Sequence, residues 1–480
     1  MRNPAAERVH TARFGFLLGV LAALPALIYL RGFTIDDALI PARYAARIAH
    51  GRGYRFNAEG PSTDGVTPLG FPYLLAPFAS GGPLAALQAA RALGAVAWLG
   101  AAGMLGAAVA RIGGSRLRYA SLLLVLLSAP LGAWAWGGLE TGLAVALSTA
   151  SAVLAFRPAY APLAGALLGL CAWLRPEMIA YSAWLGAWRV RNAESRRAKW
   201  LTACAVALPW LIAAGVRWCV WGRPAPLAVF AKPSDFAHGA DYVLKAIVFS
   251  GAPIAALGPL AWIKIGGWPR TVLVGSFVHL AVIVAAGGDW MPLARLVCPV
   301  LPPLAWATAH LLASPHRTLG TWATLARIAV GCAAEVSVFA LRGPAAAQIL
   351  RDRLALIEAA APILDGATAV ATIDVGWVGA ATDATIVDLA GATDHEIAAL
   401  PGGHTSKAVS GAFLTARKPD RLVFQVDEHS TVDAIAFLRA TEARLFLDPL
   451  VRRSFEVTWR SPASLPLHYV VLSPATKPPP

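Results

Sequence analysis

Charge is scarce in this sequence. Only 14% of the 480 residues are Asp, Glu, Lys or Arg, against 57% that are hydrophobic, a balance that excludes an ordinary soluble domain. Acids are the rarer sign, 27 against 41 bases, which leaves a net charge of +14. That excess does not imply a nucleic-acid partner, because the basic residues fall in short loops between apolar runs, where membrane topology places them. Cysteine is sparse as well. Cys171, Cys204, Cys219, Cys298 and Cys332 are odd in number, scattered and mostly inside apolar runs, so neither a disulfide framework nor a cysteine metal cluster is implied. His238, His279 and His404 share no ligand spacing, which argues against a histidine metal site. A divalent ion held by carboxylates stays open. No internal repeat appears, which counts against a secondary transporter built from related halves.

What the sequence has instead is apolar length, with a mean hydropathy of +0.58. Runs long enough to cross roughly 30 Å of hydrocarbon recur through the first 340 residues or so. Hydropathy and loop charge predict spans at 14–31, 83–110, 119–133, 137–156, 160–174, 177–190, 200–218, 245–263, 270–286, 293–313 and 322–342, about eleven in all. The first is read as an uncleaved span rather than a signal peptide, since no small-x-small cleavage site precedes Arg31–Asp37. The fold class is thus a polytopic α-helical membrane protein. Residues 1–342 form its transmembrane domain, with an outer loop at 32–82.

The basic loops, from Arg2, Arg8 and Arg13 through Arg189–Lys199 to Arg317, all fall on one side, which the positive-inside rule makes cytoplasmic. An odd number of spans then leaves the N-terminus inside and everything after 342 outside. That remainder, 343–480, changes character. Short β-type runs at Ala369–Ile373, Thr385–Leu389, Leu422–Val426, Leu445–Leu447 and Tyr469–Leu472 alternate with helical patterns near 345–360 and 430–443, predicting a small α/β extracytoplasmic domain.

This topology gathers acids and bases from distant turns onto the outer face: Asp36, Asp37, Glu140, Glu177, Lys232 and Asp289. A charge near hydrocarbon is costly, by roughly 2.5–3.5 kcal/mol at a helix centre, so each is a functional candidate. Each also has a plainer explanation. Asp36 and Asp37 stand near the start of an amphipathic pattern at 34–50, predicted to lay Leu39, Ile40, Tyr44 and Ile48 on lipid with Arg43, Arg47 and His50 among head groups, and they sit where a helix cap belongs. Glu140 follows Gly-Gly and suits a cap, as does Asp289, with Pro292 fitting the first turn of a span. Arg175 and Glu177 flank Pro176 and suit a mutual pair, while Lys232 and Arg295 suit snorkelling to head groups.

The sequence also carries a resemblance. Asp36-Asp37, then Arg43-Tyr44-Ala45, His50-Gly51-Arg52-Gly53-Tyr54-Arg55-Phe56-Asn57 and Asp64-Gly65-Val66-Thr67-Pro68-Leu69-Gly70, resemble the first outer loop of C-type (GT-C) glycosyltransferases. Within them the chain looks most like the group containing the mycobacterial terminal β-(1→2)-arabinofuranosyltransferase. The likeness continues through Gly137–Thr141, Arg175-Pro176-Glu177, Trp221–Pro226 with Lys232, Gly287–Pro292 with Arg295, and Val387–Asp394. It departs at Leu227-Ala228, where the family often has Asn-Thr, and in the loop after Lys232. The resemblance implies inverting transfer of a sugar from a polyprenyl-phosphate donor to a glycan, lipid or protein acceptor at the outer face of the bacterial inner membrane. Protein O-mannosyltransferase-like and lipid A aminoarabinose transferase-like enzymes are the neighbouring alternatives.

The chemistry assigns roles. A sugar hydroxyl is a poor nucleophile, so a carboxylate must take its proton, with Asp36 the first choice and Asp37 the second. The departing phosphate needs fixed positive charge, for which Lys232, Arg295 and Arg175 are candidates. Glu140, Glu177, Asp289, Tyr44 and Asp64 are the expected substrate-binding residues, and Asp388–Asp394 reads as a strand end plus turn.

Overall fold

Long apolar helices dominate the first two thirds of the chain. The computed structural model describes residues 4–112, 116–156, 158–231, 235–250, 265–313, 317–430 and 435–475. Four helices among them are long and apolar enough to cross a membrane: Val9–Tyr29, Pro83–Ile112, Arg196–Trp221 and Gly267–Ala286. A fifth is added if Arg118–Leu126 and Ala129–Trp136, bent by 42° at their junction, count as one span. The expected number of about eleven is not confirmed. Thr141–Leu154, Ala161–Leu174 and Ile179–Arg191 hold only 14, 14 and 13 residues, which is about 20 Å of helix each. The expected span at 137–156 included the Gly137–Glu140 turn, whereas those at 160–174 and 177–190 match the observed helices closely and are as short as they are. Most of the expected span at 245–263 lies outside the described residues.

The chain divides into two compact units, neither of them continuous in sequence. The first comprises Met1–Thr34, Arg91–Gly215 and Ser234–Ala347. Its helices approach closely through small residues: a Cβ on Gly19 would lie 2.1 Å from the Ala102 carbonyl oxygen, and one on Gly106 2.2 Å from that of Gly15. Side chains that outward-facing lipid would suit, such as Leu17, Leu21, Trp200 and Ile212, are exposed on these helices. Arg91 closes the end of the first helix from inside. It is buried and donates to the carbonyls of Phe33 at 2.7 Å, Trp136 at 3.2 Å and Arg31.

The second unit joins Ile35–Ala90 and Val216–Pro233 to Gln348–Pro480. The expected border at 342 therefore lies close to an observed one, but residues 35–82 of the loop expected at 32–82 belong with the C-terminal part. The framework is a five-stranded mixed sheet built from β1 (Ala369–Thr372), β2 (Thr385–Asp388), β3 (Arg421–Val426), β4 (Phe455–Arg460) and β5 (His468–Pro474). Strand order is β2-β1-β3-β5-β4, with β1 parallel to β2 and β3, and β5 antiparallel to β3 and β4. Ala371, Val387, Leu422, Phe424, Val470 and Leu472 form the centre of its core.

Two elements differ from expectation. Leu445–Leu447 is not a strand but the end of the helix Ala440–Leu447, which buries Leu445 and Glu442 three residues apart on one face. Phe455–Arg460 is a strand that the sequence reading did not foresee. Residues 431–434 of the helical pattern near 430–443, and the Pro478–Pro480 tail, lie outside the described residues.

Candidate functional site

The segment after the first helix folds as a short 3-10 turn, Asp36–Ala38, running into the helix Leu39–Ala49. Neither carries a side-chain cap of its own. Asp36 caps a different helix. Its Oδ2 accepts from the Gly376 N–H at 2.9 Å, and its Oδ1 from the Trp377 N–H at 2.8 Å and from Arg353 Nη1 at 2.6 Å. The two N–H groups are first-turn donors of the helix Val375–Ala381, where a carboxylate also complements the positive end of the dipole. Gly376 makes the approach feasible, since a Cβ there would meet the Asp36 backbone oxygen at 2.1 Å. Burial pushes the Asp36 carboxyl up to about 6, with Arg353 opposing and Asp374 and Asp37 adding to the rise.

Seven residues on, Arg43 holds the other end of the same helix. It donates to the carbonyls of Gly379 at 2.5 Å, Thr382 at 2.9 Å and Ala384 at 2.7 Å, and through Nε to that of Phe56 at 3.0 Å. Arg43 is therefore buried rather than set among head groups, and Leu39, Ile40 and Tyr44 face protein rather than lipid. The amphipathic pattern at 34–50 was misread because a guanidinium that feeds four carbonyls looks, in sequence, like a surface charge. Both oxygens of Asp36 are committed. Asp37, partly exposed, has no side-chain hydrogen bond or ion pair among the described residues.

Tyr44 and Asp64, expected to meet substrate, are both buried and hydrogen-bonded within the second unit. Tyr44 is fully buried, its hydroxyl 2.8 Å from the Thr63 carbonyl and accepting from the Gly65 N–H at 3.1 Å. Asp64 is buried against Arg217 at 2.7 Å, and the same guanidinium donates to the Val66 and Thr67 carbonyls. Asp388 ends β2 and folds its own turn, accepting from the N–H groups of Ala390, Gly391 and Thr393. Asp394 caps the following helix and pairs with Arg417, so the strand end plus turn is present.

In the first unit, Arg175 lies between two acids, 2.5 Å from Glu140 and 2.7 Å from Glu177. Glu140 occupies the N-cap position of Thr141–Leu154 yet turns its side chain to Arg175 instead of capping. Asp289 likewise pairs with Arg295 at 2.7 Å, and the helical segment after it starts at Cys298, too late for Asp289 or Pro292 to serve its first turn. Arg295 stacks over Trp134, 5.6 Å from the ring centroid. The intervening loop is strained. Leu293 and Ala294 both adopt left-handed backbone, φ 58° and 53°, at about 1–2 kcal/mol each. The Trp134 indole N–H stabilises that turn by donating to the Pro292 and Leu293 carbonyls. Three carboxylates thus face two guanidinia here, and neither arginine carries uncompensated charge toward a phosphate.

Lys232 lies outside the described residues. No group of three His, Cys, Asp or Glu side chains placed to hold a metal ion occurs among the described residues. Sequence reasoning missed Arg353, Arg217 and Arg91, each of which acts on groups far away in the chain; isolation in apolar surroundings marks Arg217 and Arg91, while Arg353 follows Arg351-Asp352 and carries no such signal. Compared with known proteins, the chain matches no protein family, no curated protein and no solved structure.

Proposed function

We propose that this protein is an inverting, C-type membrane glycosyltransferase. It takes a sugar from a polyprenyl-phosphate carrier at the outer face of the bacterial plasma membrane and passes it to an envelope glycan or lipid, with its N-terminus cytoplasmic. The reading rests on the resemblance of the 36–70 segment and on one observation: directly after the first membrane-length helix stands a carboxylate, Asp37, that no described group occupies, while its neighbour Asp36 is spent on structure. The base role thereby passes from the first-choice residue to the second.

In the proposed reaction the acceptor hydroxyl oxygen attacks the anomeric carbon as the bond from that carbon to the phosphate oxygen breaks. Asp37 takes the hydroxyl proton and later releases it to water, and the polyprenyl phosphate leaves as an anion. The leaving group needs positive charge rather than an acid. Arg175 and Arg295 are matched by carboxylates, so Lys232 is the first of the three candidates to test.

The experiment is incubation of purified protein with a panel of polyprenyl-phosphate sugars, following released polyprenyl phosphate. Release dependent on acceptor is expected, and Asp37→Asn should lower it by at least 100-fold at unchanged protein level. No release with any donor, or full activity in Asp37→Asn, would sink the proposal.

A further inference from the structure

The commitment of Asp36 invites a question about what it is for. The segment 36–43 lies along the helix Val375–Ala381, its acid at one end and its arginine at the other. Two glycines, Gly376 and Gly379, let it come close: Cβ atoms there would sit 2.1 Å from the Asp36 backbone oxygen and 2.8 Å from Arg43 Nη1. The backbone of the Asp36–Ala38 turn is thus fixed from outside, by a helix more than three hundred residues away in sequence. Asp37 sits in the middle of that turn.

We propose that Asp36 and Arg353 are positioning residues, which dock the 36–38 turn on the first turn of the 375–381 helix and so aim the adjacent Asp37 carboxylate. This deepens the transferase reading and rests on it for the role of Asp37. The charged groups facing Asp36 are Arg353, from the helix Ile349–Leu364, Asp374, at the N-cap position of the helix Val375–Ala381, and Asp37 itself. Arg353 balances Asp36, and Arg439, 2.8 Å from Asp374, balances the second acid. Asp37 therefore works beside a near-neutral pair, and altering either member changes the local charge in opposite senses.

The test uses the full-length protein in two measurements. Hydrogen exchange reads the docking without reference to activity: Asp36→Asn places an amide N–H against a backbone N–H, so the 376–377 amides should exchange at least tenfold faster, and they should not in Asp37→Asn. The pH profile of kcat/KM reads the aim. Below about pH 6 the Asp36 carboxyl is itself protonated, so Asp36→Asn should leave the acid limb in place and change kcat/KM only above that pH. Arg353→Met leaves Asp36 unbalanced, and its limb should move to higher pH, while Arg353→Lys should restore the wild-type position. A merely structural role would lower activity at every pH and displace neither limb.

Unchanged exchange at 376–377 in Asp36→Asn overturns the docking, whatever the activity. Faster exchange with an acid limb that does not move in Arg353→Met overturns the positioning role but leaves the transferase reading standing. Absence of turnover in the wild type fails the transferase reading, and with it the role assigned to Asp37.

Discussion

Single ionisable residues in the second unit are held in unusual states by burial, and Glu442 is the clearest. Its Oε1 accepts from the Gln425 N–H at 3.2 Å and lies 3.4 Å from Arg439, while Oε2 is buried without a hydrogen-bond partner. Burial pushes its carboxyl up to about 8 despite the opposing Arg439, with Asp374 adding to the rise. The folded protein thus keeps a proton that the unfolded chain has released above about 4.5. Stability from this group is complete below about pH 4.5 and is lost as pH climbs through 8. Glu442→Gln mimics the protonated form. Its thermal midpoint in detergent should equal that of wild type near pH 5 and exceed it near pH 8.5, by on the order of 1 kcal/mol in stability. A variant less stable than wild type at both pH values would show that the carboxylate form is the one the fold uses.

At the scale of elements, the helix Val375–Ala381 depends on residues outside itself. Seven residues are too few to form a stable helix alone. Asp36 satisfies its leading N–H groups, and Arg43 satisfies carbonyls at and beyond its end. Hydrogen bonds to a charged group contribute about 1.5–3 kcal/mol each, and stranded carbonyls cost about 1–3 kcal/mol. Arg43→Met keeps the stem and removes the donors, so it should destabilise the second unit by several kcal/mol, measured as a lower unfolding midpoint and rapid exchange over 375–384. If the midpoint held within about 0.5 kcal/mol, water would be serving those carbonyls as well as the guanidinium does. None of this could be read from the sequence around residue 43. Helical periodicity reports which face is apolar and is silent on whether a polar residue on the other face meets water or a distant backbone. Where an element's fate was decided locally, the sequence was legible: the first membrane-length helix, the strands β1, β2, β3 and β5, the Asp388 turn and the Arg175–Glu177 pair were all foreseen. Leu445–Leu447 was not, since three residues cannot tell a strand from the last turn of a helix.

At the scale of the whole molecule, the sequence suggested a border near 342, but it did not show that the second unit is assembled from three separate stretches. Composition separates the greasy part from the polar one, and no composition signal tells that 35–90 completes a sheet domain beginning at 348. The contacts that do so are pairwise. Besides Asp36 and Arg43, Asn57 lies against β2 as a further strand would, donating to the Ile386 carbonyl at 3.0 Å and accepting from the Ile386 N–H at 2.9 Å. These contacts join residues some 330 to 340 apart, a separation at which pairing is invisible to any local pattern. Residues 348–480 expressed alone should therefore lack a settled fold: the helix 375–381 would lose both ends, and β2 would regain an open edge prone to pairing between chains. Domains of this size carry only about 5–15 kcal/mol of net stability, and the missing contacts amount to a large share of it. Fusing residues 35–80 and 216–231 ahead of 348 through flexible linkers, so that Asp64 keeps Arg217, should restore a cooperative thermal transition and dispersed amide resonances. The same fusion carrying Arg43→Met should restore them only in part. A fragment 348–480 that melted cooperatively by itself, with slow exchange at 376 and 377, would mean that the sheet orders its own helix and that residues 35–80 merely rest on a finished surface.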